Sequence, residues 1–250
     1  MLDKYLEVQK FVERNHLVTV KDICDEFDIS ESTTRRLLVE LEKNSLIKRI
    51  RGGATVLKSS MPECPINNRS LNCVEEKEEI AKLAVGMIKE YESILLMSGS
   101  TINNMASLLK EIKNITVITN SIVILTELFG CYDICVHFLG GTLDHKEYQT
   151  DGVFMENNLK GLRADKVFMS AKAVDLQLGL ISDSLSQQSV YSNFLSSADK
   201  CVVLADHTKF VSRGLVTCLS LDNVDTIITD TNTPQPIIDS LREMDIEVIL

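Results

Sequence analysis

SESTTRRLLVELEKNSLIKRIRGGA, running from Ser30 to Ala54, is the stretch on which the reading of this 250-residue chain turns. The chain as a whole is acidic, with a formal net charge of −10. Yet Ser32 to Lys58 carries seven cations (Arg35, Arg36, Lys43, Lys48, Arg49, Arg51, Lys58) against two anions, Glu40 and Glu42. Charges are felt over roughly 8–10 Å at physiological salt, so where the cations sit matters more than the sum over the chain.

Local pattern gives this basic stretch a shape. Leu2, Tyr5, Leu6, Val8, Phe11 and Val12 recur at helical spacing and predict a helix over 2–16. Thr19, with Asp22 three residues on, reads as a capping box for a second helix over about 20–27, burying Val20, Ile23 and Phe27. Ser30 caps a third helix over about 31–44, with Leu38 and Leu41 inward. Two apolar runs then flank Arg51-Gly52-Gly53, the pattern of a β-hairpin. Together they make a winged helix-turn-helix.

The third helix would enter a major groove by its first turns. Those turns hold Ser30, Ser32, Thr33, Thr34, Arg35 and Arg36. Small hydroxyls bond phosphate without blocking approach, and an arginine forked onto guanine is worth ~1–3 kcal/mol of discrimination. Lys48, Arg49, Arg51 and Gly52 on the wing suit the phosphate backbone or the minor groove. The competing account is a solvated basic face. Two elements carrying cations, which the fold would bring together, favour double-stranded DNA. The eight anions and four cations of residues 1–31 belong on faces turned away from it.

The stretch resembles the N-terminal signature of the DeoR family of bacterial transcriptional repressors, which runs roughly VSxxTIRRDLxxLExxGxLxRxHGGA. Thr33, Arg35, Arg36, Leu38, Leu41, Glu42, Leu46, Arg49, Gly52, Gly53 and Ala54 match. Thr34 stands where isoleucine is usual, Leu37 for aspartate, Ser45 for glycine and Arg51 for histidine. The lost aspartate bears on which operator sequence is read.

Working outward, residues 58–72, KSSMPECPINNRSLN, hold two of the four prolines and read as a linker between a DNA-binding domain over 1–57 and a second domain over 73–250. Beyond it strands and helices alternate. SILLM, ITVIT, ICVHFLGG, DKVFMSA, CVVLAD, DTIITD and IEVIL read as strands, with helices between them and near 187–198 and 234–244. The fold class is therefore α/β: a winged helix-turn-helix followed by an α/β sensor domain with a mainly parallel sheet.

In such sheets ligands bind beyond the carboxyl ends of the strands. There lie SGST (98–101), TNS (119–121), GGT (140–142) and ADHTK (205–209). A strand-to-helix SGST turn is an anion site in outline, and Lys209 offers a cation to a phosphate. This half is similar to the DeoR sensor domain, itself related to ribose-phosphate isomerase and the coenzyme A transferase fold, whose landmarks are DSGTT, VTNS, GG and LaDxSKF. The resemblance implies a phosphorylated sugar as effector, held by Ser98, Gly99, Ser100, Thr101, Asn120, Gly140, Gly141 and Lys209, with Asp206 beside them. Where the family usually has a charged helix, this chain reads SQQSVYSNFL, with Gln187, Ser189 and Tyr191 replacing glutamates and a lysine. The turn usually reading GID is AVD over 173–175.

Other classes recede. No apolar run of eighteen residues and no apolar leader is present, so a cytoplasmic protein without a membrane span is expected. The seven cysteines form no CxxC pair, and His16, His137, His145 and His207 show no ligand spacing, so neither a metal nor a cofactor is expected. The alternative is a sugar-phosphate isomerase-like enzyme with an accessory DNA-binding domain and Asp206 as its base. A third reading makes the second domain only an oligomerisation module. No catalytic residue is assigned. The expectation is a DNA-binding regulator, a repressor of carbohydrate-metabolism genes, working as a homo-oligomer, dimer or tetramer.

Overall fold

The computed structural model describes residues 2–15, 17–43, 46–50, 52–55 and 66–250. The chain divides into two compact units, Met1–Cys64 and Pro65–Leu250. Each closes its own hydrophobic core.

The small unit runs α1 (Leu2–Asn15), β1 (Leu17–Thr19), α2 (Val20–Phe27), α3 (Glu31–Lys43), β2 (Lys48–Ile50) and β3 (Gly53–Thr55). The capping box at Thr19 is formed: its hydroxyl accepts the Asp22 amide at 3.1 Å, and the Asp22 carboxylate accepts the Thr19 amide at 2.8 Å. That amide, with the Thr19 hydroxyl, holds the Asp22 carboxyl below its ordinary range. On α3, Thr34, Leu37, Leu38 and Leu41 are buried, one face of a 3.6-residue repeat. They join Val8, Val12, Val18 and Ile23, and the rings of Phe11 and Phe27 meet edge to face at 5.4 Å. The hairpin of β2 and β3 gains a third strand, β1, which the sequence reading missed; the order is β1-β3-β2, antiparallel throughout. A Cβ on Gly53 would stand 2.0 Å from the Val18 carbonyl oxygen, so only glycine lets β3 lie against β1.

The large unit opens with α4 (Ile66–Ser70) and α5 (Val74–Gly86). Residues 58–65 of the expected linker lie outside the described residues. From Ile66, wholly buried, the remainder belongs to the large unit, as helix to Ser70 and a turn beyond it. The chain continues through β4 (Ser93–Leu96), α6 (Ser100–Asn103), α7 (Met105–Leu109), β5 (Ile115–Thr119), α8 (Ile122–Glu127) and β6 (Ile134–Phe138). A hairpin, β7 (Thr142–Asp144) and β8 (Gln149–Asp151), precedes α9 (Val153–Leu159) and β9 (Ala164–Met169). Then come β10 (Ala173–Asp175), β11 (Gly179–Ser182), α10 (Gln187–Ser196), β12 (Ala198–Leu204), β13 (Val216–Leu219), β14 (Thr226–Ile228), α11 (Gln235–Glu243) and β15 (Glu247–Ile249).

Seven strands form one parallel sheet in the order β15-β14-β12-β9-β4-β5-β6. Ile94, Leu95, Leu96, Val167, Phe168 and Met169 in its middle are wholly buried, each burial worth roughly 1.5–3 kcal/mol. From β4 the order runs one way through β5 and β6, then returns to β9 and runs the other way. The switch point lies between the ends of β4 and β9. An antiparallel sheet, β10-β11-β13, was not foreseen, and it absorbs the AVD and GL turns of the sequence reading. Gly179, at φ +90°, approaches the Leu219 carbonyl so closely that a Cβ would stand 2.1 Å from its oxygen. Among the described residues no helix is long and apolar enough to cross a membrane.

Candidate nucleic-acid interface and effector pocket

At the start of α3 the Ser30 hydroxyl accepts the Thr33 amide at 3.3 Å and lies 2.9 Å from the Ser32 hydroxyl and 3.0 Å from that of Thr33. This places three small hydroxyls at a helix N-terminus, where orphan amides favour phosphate. Arg35 and Arg36 are exposed on the next turn. Arg35 pairs with Glu31 at 3.0 Å, both well exposed; such a pair is worth only ~0.3–0.5 kcal/mol and yields readily to phosphate. The other α3 carboxylates are engaged elsewhere. Glu40 accepts the Tyr5 hydroxyl at 2.5 Å, and that bond raises the Tyr5 pKa. Glu42 accepts the Arg49 amide.

Thr34 corrects the sequence reading. Expected at the DNA, it is wholly buried, with its hydroxyl 3.3 Å from Cys24 Sγ on α2. The reason is periodicity: Thr34 stands four residues before Leu38 and seven before Leu41, on the inward stripe. Leu37, in place of the usual aspartate, is likewise core. On the wing Arg49 is exposed and Gly52 holds φ +86°, while its carbonyl accepts the Val20 amide at 2.9 Å. Lys48 lies in β2, and Arg51 lies outside the described residues.

In the large unit, the residues after β4 and β9 meet at the switch point. A Cβ on Gly99 would stand 2.2 Å from Ser170 Oγ. The Ser98 amide donates to Asn120 Oδ1 at 3.2 Å and its hydroxyl to the Glu147 carbonyl at 3.1 Å. Asn120 Nδ2 donates to the Thr150 carbonyl at 3.0 Å. Asn120 is thus a strut that ties β5 to β8. Ser100 and Thr101 are buried at the start of α6. Gly140 faces open space, whereas a Cβ on Gly141 would lie 2.6 Å from the Asp151 carbonyl oxygen, so Gly141 answers to chain packing without invoking a ligand.

After β12, Asp206 is almost wholly buried and caps the 3-10 helix His207–Phe210, accepting the Thr208 amide at 3.1 Å and the Thr208 hydroxyl. Lys209 begins on the same turn. Sequence reasoning missed Lys77 on α5. It is 2% exposed and donates to the carbonyls of Arg69, at 2.6 Å, and Asn72. Burial lowers its pKa; Asp206 opposes this and Lys209 adds to it. The signal was available, because Lys77 shares the stripe of Ile80, Ala81 and Ala84. Arg69, which the sequence reading placed in the linker, pairs with Glu147, both mostly buried. Cations, a carboxylate and the SGST turn of the large unit thus gather polar chemistry around the carboxyl ends of its central strands.

Cys73, Asp206 and His207 also converge, each offering one ligand atom within 4.8 Å of the others. No local pattern predicts this, since Cys73 and His207 lie far apart in the chain. Tyr191, at the position of the family's usual lysine, is buried with its hydroxyl donating to the Ser170 carbonyl at 2.5 Å.

A model of the DeoR-like helix-turn-helix domain matches residues 7–60, and one of the DeoR C-terminal sensor domain matches residues 72–231. The chain is 35% identical over 239 residues to the lactose phosphotransferase system repressor of Lactococcus lactis, covering 94% of this chain and 92% of that one. It is 32% identical over 219 residues to the HTH-type transcriptional regulator GolR of Listeria innocua, covering 88% and 86%. Against the HTH-type transcriptional repressor GlcR of Bacillus subtilis it is 26% identical over 248 residues, covering 99% and 95%.

Proposed function

This chain belongs to the DeoR family, and from that premise we propose that it represses carbohydrate-metabolism genes by binding operator DNA, with a phosphorylated sugar or related metabolite adjusting its affinity. The observation that carries the DNA half is the start of α3: three hydroxyls at a helix N-terminus and two exposed arginines one turn on. Arg35 and Arg36 read base edges; Arg49 and Lys48 meet phosphates. Their side chains supply the local positive field that the acidic remainder lacks. Ser30, Ser32 and Thr33 fix the register. One short helix makes few contacts, so the repressor acts as a homo-oligomer on paired half-sites.

The effector half rests on the chemistry at the strand ends. Lys209 supplies a cation for a phosphate, and the Gly99–Ser100 turn offers amides at the switch point. Control is a population shift: the effector must bind the low-affinity arrangement more tightly, or nothing moves. The relatives bear the names of regulators and repressors, which leaves the isomerase alternative without support.

Retardation of promoter fragments by the full chain tests the proposal. Arg35→Ala and Arg36→Ala each weaken binding by roughly tenfold or more, the worth of one good base or phosphate contact. Lys209→Ala leaves operator affinity alone and blunts the response to sugar phosphates. Wild-type affinity in both arginine variants overturns the recognition-helix assignment. Sugar phosphates that neither raise the melting temperature of the large unit nor release DNA leave only an assembly module.

A further inference from the structure

We propose that Cys73, Asp206 and His207 form a site for a divalent transition metal of the zinc class, with one coordination position left for water or a ligand oxygen. The three donors lie far apart in the large unit's sequence. Cys73 is the residue before α5, and Asp206 and His207 follow β12. Their ligand atoms lie within 4.8 Å of one another. A tetrahedral site with bonds of about 2.0–2.3 Å needs donors about 3.3–3.7 Å apart, so side-chain rotations of about an ångström close it.

Each donor is held as a metal ligand needs to be. The Asp230 carboxylate, buried, accepts the His207 amide at 2.7 Å on one oxygen, and its other oxygen lies 3.0 Å from His207 Nδ1. With the Nδ1 proton donated there, the lone pair of a neutral imidazole sits on Nε2; a carboxylate behind the ring is the usual support of a metal-bound histidine. Thr208 engages one oxygen of Asp206 through both amide and hydroxyl and so orients the carboxylate. Cys73 occupies the N-cap position of α5 but makes no side-chain capping bond, and it holds φ +51°, a left-handed conformation costly for a residue with a Cβ. Neither the cap nor the backbone explains a cysteine there.

Charge favours a cation. Asp206, Glu76 and Asp230 face the Cys73 thiol, against Lys77. Lys77 directs its ammonium onto the carbonyls of Arg69 and Asn72. One sulfur, one imidazole and one carboxylate suit zinc or cobalt over magnesium or calcium. On binding, the S–H bond breaks, a sulfur–metal bond forms and the proton leaves to solvent.

The test is titration of the reduced, metal-free full chain with cobalt(II), read by the thiolate-to-cobalt charge-transfer band in the near ultraviolet and by competition with a chromogenic chelator. One equivalent of cobalt produces the band, and zinc removes it. Cys73→Ser abolishes it, and His207→Ala weakens affinity at least tenfold. Asp230→Asn, which leaves every ligand in place, weakens it roughly 10–100-fold. Cys135→Ser is the control, because Cys135 Sγ lies 3.6 Å from His137 Nε2 on β6 and offers a rival pair; it keeps the band. A wild-type protein without the band, a band that survives Cys73→Ser, or one that vanishes with Cys135→Ser overturns the site. Circular dichroism of each variant separates ligand loss from misfolding, and His207→Ala tests the same site without touching the start of α5.

Discussion

The Arg49 amide donates to one oxygen of the Glu42 carboxylate at 2.9 Å, and the Arg49 guanidinium lies 3.7 Å from the other. The first wing strand is therefore tied to α3, and on the proposed function the two elements that meet DNA are joined by this pair. This sets up opposing expectations for Glu42→Ala. Field alone predicts tighter DNA binding, because an anion is removed near phosphates. Loss of the tether predicts weaker binding, and the tether prevails: affinity falls about 3–10-fold at fixed salt, since a charge-assisted bond to an amide is worth roughly 1 kcal/mol. Fluorescence anisotropy with a labelled operator fragment decides it; tighter binding removes the tether from the mechanism.

Thr34→Val probes the inward side of the same helix. Among the described residues the hydroxyl's partner is a thiol, itself a weak one, and the side chain is wholly buried. Urea unfolding shifts by less than about 1 kcal/mol, and operator affinity stays within twofold. A folded variant that lost its operator would put Thr34 back at the bases.

Gly53→Ala has no room to relax, because its Cβ would meet the Val18 carbonyl oxygen at 2.0 Å. The wing sheet opens, at a cost of a few kcal/mol. Calorimetry shows the early melting of the small unit alone, with the transition of the large unit unmoved. A concerted downward shift of both transitions would show that the units are thermodynamically coupled.

Acid weakens the large unit. Burial pushes the Glu92 carboxyl up, but the Lys166 ammonium, at 2.5 Å from both oxygens, and the Lys89 amide outweigh it and hold the group below its ordinary range. Asp165 is lowered by the Ser93 amide and hydroxyl. A carboxyl depressed on folding contributes stability that is complete above its unfolded pKa, about 4, and fades as pH falls through the folded value. Urea midpoints therefore hold from pH 7 to about 5 and drop below about 4. Glu92→Gln is less stable at pH 7 and shows a shallower acid limb; an unchanged limb removes Glu92 from that account.

The sequence reading was strong where periodicity is local and weak where pairing is distant. All seven strands of the parallel sheet were legible, because buried parallel strands are short continuous apolar runs. The capping box at Thr19 and the φ of Gly52 were legible from residue type alone. The β1 strand has only three residues; β10 and β11 are a hairpin of three- and four-residue strands, and β13 joins β11 from more than thirty residues on, so none of them announces itself. Thr34 is a polar residue among the hydroxyls of the first turns of α3, yet its spacing to Leu38 and Leu41 sets it on the inward face. Lys77 escaped because a lysine among glutamates reads as surface, although its spacing to Ile80, Ala81 and Ala84 says otherwise. The meeting of Cys73 with His207 is a product of topology, and no local pattern encodes it.

The small unit closes a hydrophobic cluster of its own, around Ile23, Leu38 and Leu41. A head with its own core is portable. On the function proposed above, such a head transplanted onto an unrelated receptor would carry its promoter address with it. Sensing and silencing could then be rewired independently.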